Sequence, residues 1–113
     1  MSDNPLTAPL FQVLVSLADD DKHGYAILKD VEERTGGLVT LSTGTLYGII
    51  KRLLAAGWIA EVRGRRGVED DERRKYYRLT PVGREAALAE TARLERAASQ
   101  ARAALRARRP QAT

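Results

Sequence analysis

Residues 41–59 read LSTGTLYGIIKRLLAAGWI. Leu46, Ile49, Ile50, Leu53 and Leu54 fall at i, i+3, i+4, i+7 and i+8, which is the stripe of a helix turned toward a core. Ser42 and Thr43 supply the oxygen-bearing residues that cap a helix start, and Gly57 is the residue type that ends one in a left-handed turn. At about 100° per residue, the face opposite the stripe carries Gly44, Thr45, Gly48, Lys51 and Ala55, with Tyr47 and Arg52 on its flanks. That face is cationic and has little side-chain bulk. A glycine inside a helix costs roughly 0.5–1 kcal/mol relative to alanine, so two of them facing outward call for a close approach by something outside the protein.

Upstream, Thr7 is an N-cap for a first helix in which Leu10, Phe11, Val13, Leu14 and Leu17 keep helical spacing, and the acidic run 19–21 interrupts it. A second helix follows in HGYAILKDVEERTGG, residues 23–37, with Tyr25, Leu28, Val31 and Glu32 at helical intervals and Gly36-Gly37 suited to its C-terminal end. Downstream the period changes. Ile59 and Val62 border one extended run and KYYRL (75–79) is a second, with Tyr77 and Leu79 on one face. Residues 64–74, GRRGVEDDERR, are too long and polar for a tight turn and carry Arg65, Arg66, Arg73 and Arg74 around an acidic centre.

Thr80-Pro81 opens a last helix that runs past Leu105. Within it Ala87, Thr91, Leu94, Ala98, Ala101 and Leu105 are spaced 4, 3, 4, 3 and 4 apart, a heptad seam too thin for an isolated helix. A helix of about 27 residues extends ~40 Å, more than so small a body covers, so part of the seam is expected to meet a second subunit. Leu10, Phe11 and Leu14 are the expected surface for that subunit's helix. The expected organisation is residues 1–80 as a DNA-binding domain, 81–109 as a dimerisation helix and 110–113 as a disordered tail.

Helix, helix, capped helix and cationic hairpin is the layout of a winged helix-turn-helix, an α+β and mostly helical class, here with a C-terminal dimerisation helix. In that layout the third helix enters a major groove about 12 Å wide and the hairpin lies along the backbone. Thr43, Thr45 and Tyr47 then offer hydroxyls where free backbone N–H groups and the helix dipole favour a phosphate. Lys51 can reach a base edge or a phosphate, and Arg52 sits better for the backbone.

Composition agrees without deciding the matter. The 113 residues carry 19 Lys and Arg against 15 Asp and Glu, a net charge of +4 that favours a polyanionic partner. The chain has no cysteine, which excludes disulfides, thiolate zinc sites and cysteine nucleophiles and fits a cytoplasmic protein. Its one histidine, His23, lacks a ligand set or an orienting partner, and helix-start packing is its expected role. The acidic runs do not have the alternation of a calcium loop. No nucleophile elbow or phosphate-cradling loop occurs, so neither an enzyme, a cofactor nor a metal is expected. The opening is acidic and proline-broken, and no apolar run approaches ~20 residues, so no membrane is expected as partner.

The stretches 23–37 and 41–59, together with RRKYYRLTPVGREA at 73–86, make the chain resemble the PadR family of bacterial transcriptional regulators. The resemblance implies a homodimeric winged helix that binds an inverted-repeat operator as a repressor, with a short, single C-terminal helix. It implies DNA contacts within residues 42–56, including Ser42, Thr43, Gly44, Thr45, Tyr47, Lys51 and Arg52. It also implies a wing over 64–74 continuing into Lys75, and Tyr25 near the DNA backbone. Gly48 stands where many members have proline. Some members release DNA on binding a small-molecule inducer, often held by a tryptophan on the last helix, and this helix has no aromatic residue. Two other readings compete: a small-molecule sensor whose ligand alters dimer geometry and releases DNA, and a protein-interaction module that has lost DNA contact. Trp58 is read as a packing anchor between the third helix and the hairpin rather than as a sensor.

Overall fold

The computed structural model describes residues 5–63 and 74–107. Thr7 Oγ1 accepts from the Leu10 N–H at 3.4 Å and opens α1 (Ala8–Ser16), with Pro9 in the first turn where a missing N–H costs nothing. Leu10, Val13, Leu14 and Leu17 all turn into the core. A two-residue strand β1 (Lys22–His23) runs directly into α2 (Gly24–Arg34). His23 serves both elements, because its Nδ1 accepts from the Ala26 N–H at 3.2 Å and so caps the helix. Helix α2 ends at Thr35, and Gly36 and Gly37 follow at φ 62° and 85°, the left-handed region that glycine enters without strain.

Ser42 Oγ accepts from the Thr45 N–H at 3.1 Å and starts α3 (Thr43–Ala56), which stops at Gly57 with φ 75°. Strands β2 (Ile59–Arg63) and β3 (Lys75–Leu79) pair antiparallel from Ile59–Leu79 to Arg63–Lys75. The other edge of β3 takes β1, with Lys22 opposite Tyr77, so the sheet order is β1-β3-β2. Alternation along β3 buries Tyr77 and leaves Tyr76 half-buried on the other face, edge-on to His23 with ring centroids 5.3 Å apart. The single core combines Val13 and Leu14 of α1, Ile27 and Val31 of α2, Leu46, Ile50 and Leu53 of α3, and Ile59 and Tyr77 of the sheet.

Helix α4 (Pro81–Ala107) is 27 residues long. Thr80 fixes its start: its Oγ1 accepts from the Gly83 N–H at 3.0 Å and donates to the Gly57 carbonyl at 2.7 Å. Gly83 packs on the hairpin so tightly that a Cβ there would run into the Trp58 carbonyl. Along the first three turns α4 lies against α1, where Glu90 is buried, accepts from the Leu6 N–H at 3.4 Å and is held by Arg93. From Leu94 onward every described residue of α4 is exposed, and the longest dimension of the molecule is 67 Å.

Three sequence expectations change. Leu10 and Leu14 are 7% and 0% exposed, so they fill this subunit's own core and are not surface for a second one. The outward face of α1 is formed by Phe11, Gln12 and Val15, one or two positions round the helix. In α2 the buried pair is Ile27 and Val31, while Tyr25, counted into the apolar period, is 65% exposed. Strand β1 was not expected at all.

Candidate nucleic-acid interface

Helix α3 presents Ser42, Thr43, Gly44, Thr45, Tyr47, Gly48, Lys51 and Arg52 to solvent, while Leu46, Ile49, Ile50 and Leu53 are buried behind them. The cap that starts the helix leaves most of the first-turn N–H groups pointing outward. Ser42 Oγ also lies 2.9 Å from Thr45 Oγ1, so both hydroxyls are held at the helix N-terminus. No added Cβ at Gly44 or Gly48 would meet any atom within 4 Å. Neither glycine is needed for internal packing, and both leave the helix backbone open on its outer side.

Tyr47 is set differently. Its ring lies across the Cα of Gly24, where a Cβ would overlap the phenol, and Gly24 is accordingly buried at the first position of α2. The ring remains half-exposed and forms one wall of a cleft of about 320 Å³. Tyr25 from α2, Arg74 and Lys75 at the root of the hairpin, and His23 line the rest, with Tyr77 at its base. Residues up to fifty-four positions apart in the chain are thus gathered around Tyr47 of α3. Arg74 Nη1 lies 3.0 Å from His23 Nε2, and the Lys29 ammonium sits 5.8 Å over the Tyr25 ring. Burial raises the Tyr77 phenol above its ordinary value, with smaller contributions from Tyr47 and Glu61, so it stays neutral.

The cations divide by surroundings. Arg78 makes a two-pronged pair with Asp21 at 2.8 and 3.1 Å, and Arg93, Arg34 and Lys22 pair with Glu90, Asp30 and Asp19. Arg84 donates to the Ala18 carbonyl at 3.0 Å. Among the described residues, no ion pair engages Lys29, Lys51, Arg52, Arg74 or Lys75. The same holds for Arg63 at the end of β2 and for Arg96, Arg102 and Arg106 on α4, so among the described residues unpaired positive charge lies on α3, α2 and the hairpin root and also along the distal half of α4.

Of the expected contact residues, Tyr25, Ser42, Thr43, Gly44, Thr45, Tyr47, Lys51, Arg52, Arg74 and Lys75 lie on this surface, and Arg65, Arg66 and Arg73 lie outside the described residues. Sequence reasoning missed His23 and Lys29. His23 was legible as the polar residue directly before Gly-Tyr at a helix start, and Lys29 as the cation one turn after Tyr25. The seam residues of α4 separate into Ala87, packed on the core, and Thr91, Leu94, Ala98, Ala101 and Leu105, which are exposed. Among the described residues no cluster of acidic or histidine side chains could hold a metal, and no helix is long and apolar enough to cross a membrane.

A three-helix body with a small antiparallel sheet, a bare-faced third helix and a cationic hairpin root define a winged helix. Residues 13–89 match the Transcriptional regulator PadR-like family, and the chain belongs to it. Members of that family are transcription regulators, not enzymes. A transcriptional regulator from Clostridium thermocellum superposes with a TM-score of 0.69 at 28% identity, over 82% of this chain and 85% of that one. A PadR family transcription regulator from Clostridium difficile gives 0.64 at 27% identity, over 80% and 95%. Bacillus subtilis PadR in complex with operator DNA shares the fold, with a TM-score of 0.58 at 23% identity over 69% and 43%. Two uncharacterized relatives, from Lysinibacillus sphaericus and a Streptomyces fradiae transposon, match at 32% and 40% identity, and the chain spans 64% and 19% of their lengths.

Proposed function

We propose that the protein is a sequence-specific repressor that binds an inverted-repeat operator as a homodimer, one α3 in each half-site. The observation that carries this reading is the convergence of Tyr25, Arg74 and Lys75 in one cleft with Tyr47 of α3, the helix whose exposed face also carries the unpaired Lys51 and Arg52. A phosphate at the α3 N-terminus meets backbone N–H groups and the positive end of the helix dipole, and Arg74 and Lys75 in the cleft offer cations to a second stretch of backbone. With its register fixed there, the glycine-bare face of α3 can reach the base edges, and Lys51 is the side chain long enough to read them. The family, and the B. subtilis PadR complex with operator DNA, support the same partner. Two α3 helices reading half-sites one turn of duplex apart, about 34 Å, would make the operator a repeat about a dyad. Occupancy of such a site within a promoter excludes polymerase, hence repression.

The test is fluorescence anisotropy on a labelled duplex taken from upstream of the protein's own gene, at two salt concentrations and with scrambled competitor. Binding that resists competitor and falls about a thousandfold between ~50 and ~200 mM salt supports the reading. Binding lost equally to scrambled duplex removes sequence specificity from it.

A further inference from the structure

His23 stands where three parts of the molecule meet. Its Nδ1 faces the Ala26 N–H at 3.2 Å and caps α2, its ring lies edge-on to Tyr76 of β3 at 5.3 Å, and its Nε2 lies 3.0 Å from Arg74 Nη1 at the hairpin root. We infer that His23 is a positioning residue of the DNA interface: its ring, fixed on α2, holds the Arg74 guanidinium in the cleft, aimed at one phosphate of the duplex backbone. The inference rests on the operator-binding reading above and adds the residue through which Arg74 is set.

The ring is anchored from two sides that do not involve Arg74. The cap ties it to the first turn of α2, and the pairing of His23 with Tyr76 in the β1–β3 ladder fixes its backbone against the strand that follows Arg74. The two ring planes stand at 89°, so turning the imidazole gives up the edge contact and the cap together. Arg74 is exposed, precedes β3 by one residue and makes no ion pair among the described residues. An unrestrained arginine samples many rotamers and loses that freedom when a phosphate fixes it. A guanidinium already held beside Tyr25, Tyr47 and Lys75 loses less. The ring thus raises affinity without touching DNA.

The imidazole also makes the hold one that can be given up. In its neutral form it has one acceptor nitrogen, whereas the Ala26 N–H and the guanidinium both approach it as donors. The lone pair serves the two by turns, according to which nitrogen carries the proton. When a phosphate takes Arg74, the lone pair reverts to the Ala26 N–H and the start of α2 keeps its cap. A carboxylate in the same place would grip Arg74 in an ion pair and compete with the phosphate, and none of the described residues lining the cleft is a carboxylate.

A double-mutant cycle of His23→Asn and Arg74→Ala tests this, read as duplex anisotropy across a range of salt concentrations with urea unfolding alongside. Asparagine caps a helix as well as any residue, but its shorter side chain cannot also reach Arg74, so the unfolding midpoint should stay close to that of wild type. Arg74→Ala is expected to lower operator affinity about fivefold and to reduce the salt slope by about one. His23→Asn is expected to lower affinity about threefold when Arg74 is present and to change nothing further in the Arg74→Ala background. Equal losses in both backgrounds overturn the proposal, because His23 would then act on the DNA or on the fold by itself. Wild-type affinity in either single variant overturns it as well. A wild-type chain that binds no duplex in preference to scrambled competitor removes the operator reading itself, a result visible before any variant is made.

Discussion

The phenol of Tyr47 rests on the Cα of Gly24, so α3 and α2 touch at a point where only a hydrogen fits. Gly24→Ala forces the ring off that seat. Because the ring is half-exposed and can swing aside, we expect a loss of stability of about 1 kcal/mol or less, together with weaker operator binding because Tyr47 no longer walls the cleft. Urea denaturation and duplex anisotropy measure the two effects. Tyr47→Phe keeps the seat and removes only the hydroxyl, so it should leave stability nearly unchanged while lowering affinity.

Gly83 faces a harder obstacle, because the atom in the way is the Trp58 carbonyl and not a mobile side chain. Gly83→Ala must push α4 off the hairpin. A loss of about 3 kcal/mol or more is expected, read as a lowered thermal midpoint, and Trp58 fluorescence should shift with it.

Lys51→Ala should weaken operator binding roughly five- to tenfold while sedimentation shows an unchanged assembly state. The slope of affinity against salt then says what Lys51 touches. A slope reduced by about one identifies a phosphate, and an unchanged slope with relaxed preference at one base pair identifies a base edge.

Glu90 carries an acid-side liability. The hydrogen bond from the Arg93 guanidinium, with a smaller one from the Leu6 N–H, holds its carboxyl below the ordinary value of 4.5 in the folded protein. A lowered folded-state value means the contribution is complete above about pH 4.5 and fades as pH falls through the folded value. Urea titrations across that range should therefore show Glu90→Gln less stable than wild type near neutrality, with the gap closing as pH drops below 4.5. A gap that widens toward acid would contradict the Arg93 assignment.

Ser42→Ala removes the α3 cap and one of the hydroxyls at the candidate phosphate site. About 1 kcal/mol of stability should go with the cap, and Ser42→Asp should restore it, since aspartate caps equally well. The same Asp should depress DNA affinity by placing a carboxylate where a phosphate is expected, so calorimetry and anisotropy should move in opposite directions.

Much of this was written in the chain at short range. The period of Leu46, Ile49, Ile50 and Leu53 is reproduced as the buried face of α3, with Ser42 and Gly57 at its ends. Alternation correctly placed Tyr77 inside, while Tyr76 on the other face is half-buried against His23. Three features were not legible. Strand β1 is two polar residues long, too short to show any period, and exists because β3 has a free edge beside it. In α2, apolar residues occur on more than one side, so counting from Tyr25 rather than Ile27 rotated the buried face. In α1, Leu10 and Leu14 share a stripe that a core or a partner could equally cover, and only the assembled core shows which. The cleft was illegible as a place, since the positions that form it are joined by β-pairing and by the Gly24–Tyr47 contact.

Thr80 stands between the end of α3 and the start of α4, its hydroxyl bonded to Gly57 on one side and Gly83 on the other, while its N–H donates to the Trp58 carbonyl at 3.1 Å. One residue thereby welds the blade of the molecule to its handle. In the homodimer proposed above, joining two handles would leave no flexible linker between the blades, and the pair would behave as a calliper with one setting. An operator whose half-sites are moved apart by even one or two base pairs asks the calliper to bend at its stiffest point. On that reading, discrimination among operators would come from half-site spacing as well as from the letters within each half-site, set by a threonine that lies outside the proposed DNA-contact residues.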